Sequence, residues 1–120
     1  MIIKDLSNQK EFLSGDHARL RELLNPCHES LALGYSLAHA VVAPGAKTRP
    51  HRLRTSEVYY ILEGEGRMRI DAESAAVRAG QAVYIPPGAV QWIENGGRGP
   101  LVFLCIVDPA WRPEDEEVFE

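Results

Sequence analysis

The stretch GAKTRPHRLRTSEVYYILEG at residues 45–64, followed fifteen residues later by GQAVYIPPGAVQWIEN at residues 80–95, decides the fold. Gly45, Gly64, Gly80 and Gly88 stand where extended runs reverse, and glycine accepts the positive φ that such corners often need. Pro86-Pro87 withholds two backbone donors, which suits a strand end or a corner better than a sheet centre. If residues 57–61 are extended, Glu57, Tyr59 and Ile61 share one face while Val58, Tyr60 and Leu62 share the other.

The same cadence continues on both sides. Apolar or alternating runs at 35–43, 57–62, 75–78, 82–85, 90–94 and 101–107 end on a glycine, proline or asparagine signal, and residues 67–71 alternate apolar and polar as a half-buried strand does. Short strands at this spacing predict a sandwich or barrel, and no segment between them reads as a crossover helix. The first thirty residues differ. Asp16 followed by HARLRELL at residues 17–24 predicts a short helix, with Asp16 as its cap and Leu20, Leu23 and Leu24 as its stripe. Asn25-Pro26 would stop it. The organisation expected is an N-terminal segment at 1–30 packed on the barrel, a barrel at 31–110, and an acidic tail at 111–120.

The two quoted blocks resemble the paired motifs of the cupin superfamily. The first frame, glycine, five residues, histidine, one residue, histidine, a spacer, glutamate, six residues, glycine, falls on Gly45, His51, Leu53, Glu57 and Gly64. The second, glycine, five residues, proline, one residue, glycine, two residues, histidine, three residues, asparagine, falls on Gly80, Pro86, Gly88, Gln91 and Asn95. Every spacing fits, but leucine and glutamine replace two of the histidines. The resemblance implies an all-β, double-stranded β-helix barrel of jelly-roll type, here with a short N-terminal helix.

It also implies a site. Members hold one divalent metal on the motif histidines and glutamate, which carries over to His51 and Glu57 and, through its amide oxygen, to Gln91. Leu53 cannot ligate. Ni, Zn, Fe or Mn on this reduced set would be weakly held, because such ions favour three or four strong donors. No organic cofactor is implied. The competing reading is a polar pocket without metal, in which His51 pairs with Glu57 and Gln91 is a third partner. His39 and Cys105 are further donors whose direction the sequence leaves open, although a thiol inside LVFLCIV at 101–107 is ordinarily buried packing.

Two functions follow from the resemblance. One is a metal-dependent enzyme of the mannose-6-phosphate isomerase-like kind, acting on a small sugar phosphate or carbonyl acid. Glu57 and Tyr59 would then move the proton, and Gln91 would orient the substrate. The other is a non-catalytic barrel binding a small metabolite. Arg49, with Arg52, Arg54 and Lys47, clusters around His51. It reads either as a solvated strand surface or, through Arg49, as a grip on an anionic ligand.

Totals set bounds on these readings. A chain of 120 residues makes one domain, and a mean hydropathy of −0.20 with 25% charged residues is ordinary for a globular protein. The net charge of −4 disfavours nucleic acid. Five of the 17 acids lie after Pro113 and read as a solvated end. Cys27 and Cys105 show no disulfide or zinc spacing. With no long apolar run, neither membrane nor leader is expected, and the location expected is cytoplasmic. Small cupins commonly pair, so a homodimer is expected, with Trp92, Trp111, Phe103 and Tyr60 as candidate interface aromatics.

Overall fold

The computed structural model describes residues 1–119. Eleven strands run β1 (Phe12–Leu13), β2 (Arg19–Leu24), β3 (Ser36–Val42), β4 (His51–Leu53), β5 (Ser56–Glu63), β6 (Glu65–Ile70), β7 (Glu73–Arg78), β8 (Ala82–Ile85), β9 (Gln91–Glu94), β10 (Leu101–Asp108) and β11 (Glu116–Val118). They form two antiparallel sheets, one ordered β1-β2-β3-β10-β5-β8 and the other β11-β4-β9-β6-β7. The architecture is all-β, as the strand cadence predicts, and is the jelly-roll barrel that the cupin resemblance implies.

The strands follow from alternation. In β10, Leu101, Phe103, Cys105 and Val107 are buried while Val102, Leu104 and Ile106 stay half-exposed. In β5, Glu57, Tyr59 and Ile61 are buried and share the inward face, as the period of two requires. Register then stacks the inward residues of β3, β10 and β5 into layers. Ala40, Phe103 and Ile61 lie abreast, then Ala38, Cys105 and Tyr59, then Ser36, Val107 and Glu57. One end of the barrel is therefore closed by an apolar plug, with Val42, Ile61, Ile93 and Leu101 each at most 1% exposed. Polarity rises layer by layer toward the other end, where the site lies.

Gly64 fixes the turn between β5 and β6. Its φ is +83°, and a Cβ there would fall 2.4 Å from the Pro100 carbonyl oxygen, so both backbone sign and space demand glycine.

The helix expected at 17–24 is not present. Residues 19–24 are β2, paired with β3, and the only N-terminal helical turn among the described residues is the 3₁₀ turn Leu6–Asn8. A six-residue segment gains more by satisfying its backbone against an exposed sheet edge than by forming an isolated turn of helix. Asp16 accordingly caps nothing and sits in the β1–β2 turn. The acidic end is also not simply solvated, because Glu116–Val118 pairs with β4 and extends the second sheet.

Candidate functional site

The site is built from the inward residues of the polar end. Glu57 and Tyr59 project from β5, and Gln91 reaches them from β9 in the opposite sheet. The Tyr59 hydroxyl donates to Gln91 Oε1 at 3.0 Å, and Gln91 Nε2 donates to Glu57 Oε1 at 2.8 Å. Gln91 is fully buried, so both halves of its amide need partners, and the two β5 side chains supply them. Among the described residues no donor reaches the second Glu57 oxygen, Oε2, although the side chain lines a cavity.

Burial pushes the Glu57 carboxyl up to about 8, only partly opposed by the Gln91 hydrogen bond. That value favours the protonated, uncharged form of the group at neutral pH. Burial, followed by the neighbouring Glu57, raises Tyr59 and Cys105 well above their ordinary values. Cys105 therefore lines the cavity as an uncharged thiol, without the thiolate that a soft metal or an electrophile requires.

His51 does not pair with Glu57. Its Nδ1 lies 2.7 Å from the Arg49 carbonyl oxygen, and its Nε2 lies 3.3 Å from Asp16 Oδ2. Both ring nitrogens thus have an oxygen beside them, a backbone carbonyl at Nδ1 and a carboxylate at Nε2. Asp16 is held by its turn. The Ser14 hydroxyl donates to Asp16 Oδ1 and accepts from the Ala18 amide, while the Arg49 amide donates to the Asp16 carbonyl at 2.7 Å. The β1–β2 turn is therefore clamped onto the loop that delivers His51. Glu116, placed by β11 opposite Leu53, adds a second carboxylate to this wall. Burial and Asp16 raise its pKa, and His51 works in the other direction.

These groups line one end of a cavity of about 260 Å³, near the lower bound of typical ligand pockets. Ala38, Ala40, Leu53, Phe103 and Val107 form its apolar walls, while Phe12, Leu13 and Trp111 line it as well. Leu53 occupies the wall position where the motif has its second histidine.

The residues present do not fit a divalent metal. Leu53 offers no donor, the Gln91 amide is consumed by Glu57 and Tyr59, and both His51 nitrogens are engaged. Among the described residues no three His, Cys, Asp or Glu side chains gather as a metal set. The three residues that the resemblance names as ligands are thus divided between two hydrogen-bonded groups, and the expected His51–Glu57 pair is replaced by His51–Asp16.

The remaining candidates fall elsewhere. His39 is half-buried, lies opposite Arg21 on β2 and is not a wall of the cavity. The Arg49 side chain is exposed, and only its backbone touches the site. Arg52 is engaged on the surface by Glu117. Asp16 and Glu116 were missed by sequence reasoning. Ser14-Gly15-Asp16-His17 between two short apolar runs is a hairpin signal that could have found Asp16. Glu116 carries no comparable signal.

Comparison with known proteins is consistent with this fold and framework. The Cupin domain family matches residues 38–107. The chain is 43% identical over 112 residues to the uncharacterized protein MJ1618 of Methanocaldococcus jannaschii, covering 92% of this chain and 89% of that one. It is 31% identical over 96 residues to the tetracenomycin polyketide synthase protein TcmJ of Streptomyces glaucescens, covering 78% of this chain and 64% of TcmJ. Among solved structures, the polyketide cyclase RemF of Streptomyces resistomycificus superposes with a TM-score of 0.82 at 22% identity, over 100% of this chain and 87% of RemF. The frame of glycines, the barrel and the family match together place this chain in the cupin family.

Proposed function

We propose that this cupin is a small-molecule-binding barrel that works without a resident divalent metal, enclosing an apolar ligand body and anchoring one polar group at Glu57. The observation that carries this reading is the closed chain Tyr59–Gln91–Glu57, in which every side-chain polar atom except Glu57 Oε2 has a partner, on a pair of side chains, Glu57 and Tyr59, that line the cavity. A sugar phosphate or carbonyl acid is disfavoured on this reading. Among the described residues no lysine or arginine lines the cavity to compensate a desolvated anion. The similarity to TcmJ, a polyketide synthase protein, is in keeping with an apolar ligand.

The test is methyl NMR of the purified protein titrated with phenethyl alcohol. The reading predicts saturable shifts at Ala38, Ala40, Leu53 and Val107, and their loss in Ala38→Phe, which fills the cavity. Shifts confined to surface methyls, or unchanged in the filled variant, would refute it.

We further propose that two copies pair through the outer face of the six-stranded sheet. Tyr60, Leu62 and Tyr84 are 41%, 45% and 64% exposed there, beside the half-exposed Val41, Leu104 and Ile106. Six strands about 4.8 Å apart, averaging about six residues long, give a face of roughly 500 Å². That is the order of area a standard interface takes from each partner, about 800 Å². Of the aromatics expected at an interface, Phe103 is instead core and Trp111 lines the cavity. Sedimentation should give a dimer that Tyr60→Glu with Tyr84→Glu converts to monomer. A monomeric parent protein would contradict the pairing.

A further inference from the structure

Register sets one row of side chains straight across the outer face of the six-stranded sheet. Arg21 of β2 stands opposite His39 of β3, His39 opposite Leu104 of β10, Leu104 opposite Tyr60 of β5, and Tyr60 opposite Ala82 of β8. Ala38 and Ala40, on either side of His39 in the chain, line the cavity, so alternation turns His39 outward. Its same-face neighbours along β3 are Leu37 and Val41. A half-buried imidazole is thus set among aliphatic side chains, with its one polar neighbour on the β2 side. β3 and β10 are also the middle two of the six strands, so a second copy seated over this face covers His39.

The charged groups that face this ring come from β2 and the residue before β1. Arg21 is directly opposite, and Glu11 meets Arg21, its Oε2 lying 3.7 Å from Arg21 Nη2. Arg19, two residues back on β2, stands opposite Val41, and from β10 only Leu104 reaches the ring's row. Arg21 Nε is buried with no hydrogen-bond partner among the described residues, so Glu11 meets that cation only in part. Burial first and Arg21 second hold the His39 ring below its ordinary pKa, against a weaker opposing pull from Glu11. Among the described residues of β3, β10, β5 and β8, no other outward side chain changes charge between pH 5 and 8.

We propose that the pairing of two copies through this face is switched by pH, with His39 as the switch: the neutral ring is covered by the partner, and its protonation drives the copies apart. This rests on the pairing proposed above and adds its control. A neutral imidazole is desolvated at small cost, whereas an imidazolium under a second copy is a cation taken out of water beside the Arg21 guanidinium. Two-fold pairing repeats that cost in both copies.

Sedimentation equilibrium of the protein at pH 8 and pH 5 reads the switch directly. The dimer dissociation constant is expected to rise about tenfold at pH 5, because each dimer carries two rings and a preference of about threefold per ring is squared. His39→Gln and His39→Leu, which have no proton to gain, should both still dimerise, with a dissociation constant that changes less than about twofold between the two pH values. A parent dimer equally tight at both pH values, or a loosening that persists undiminished in both variants, overturns the switch and leaves the pairing standing. A parent protein that is monomeric at both pH values overturns both.

Discussion

Replacing Glu57 by glutamine should make the protein more stable at neutral and alkaline pH, and by an amount that grows with pH. The native carboxyl titrates at about 8 because burial disfavours its charge, against an ordinary value of 4.5. Between those values the folded state holds a proton that the unfolded state has released, so stability falls as pH rises, by about 1.4 kcal/mol for each pH unit. The loss begins above pH 4.5, reaches about 3 kcal/mol at pH 7, and levels off near 5 kcal/mol above pH 8 as an upper bound. Glutamine keeps the shape and can still accept from Gln91 Nε2 through its own carbonyl, but it has no proton to lose. Urea unfolding of parent and variant at pH 4, 7 and 9 isolates this one group, since every other titration is common to both. The two proteins should match within about 1 kcal/mol at pH 4 and diverge in favour of the variant at pH 7 and 9. Parallel stabilities across this range, or a variant that is weaker at pH 9, would refute the reasoning. Parallel stabilities would mean that native Glu57 ionises as it does in the unfolded chain, and a variant weaker at pH 9 that its charge has a favourable partner.

Further outcomes follow from other parts of the fold. Gly64→Ala should cost about 2–4 kcal/mol in urea unfolding, since it combines a left-handed φ with a backbone clash. Gly80→Ala, at φ +90° with nothing within 4 Å of its Cβ, should cost only about 1–2 kcal/mol, and equal losses at the two sites would remove the clash from the account. Asp16→Ala strips an acceptor from the buried His51 and from Ser14 and should destabilise by about 1–3 kcal/mol; no measurable loss would mean that the β1–β2 turn does not hold that histidine.

The contrast between β10 and β2 shows where the sequence stops being legible. LVFLCIVD alternates over eight residues and sits between two partner strands, so its local pattern and its surroundings agree. RLRELL is equally compatible with a helical stripe, Leu20, Leu23 and Leu24, and with a strand presenting Leu20 inward and Arg19 and Arg21 outward. Only the free edge of β3, which no local window contains, decides between them. The barrel positions of Glu57, Tyr59, His51 and Gln91 were legible because motif spacing fixes which residues face inward. Their hydrogen bonds were not, because which carboxylate His51 meets depends on a turn 35 residues earlier in the chain. Glu116 was hidden for the same reason, since three residues of an acidic tail become an edge strand only when β4 is there to receive them. No helix among the described residues is long and apolar enough to cross a membrane.

The claim that this cupin works without a resident metal is tested most directly by elemental analysis of protein purified with neither chelator nor metal-affinity tag. Because His51 is committed to Asp16 and the Arg49 carbonyl, and Gln91 to Glu57 and Tyr59, the account predicts far less than one equivalent of Ni, Zn, Fe or Mn per chain. It also predicts no thermal stabilisation when these ions are added. Close to one equivalent that disappears in His51→Ala would contradict it.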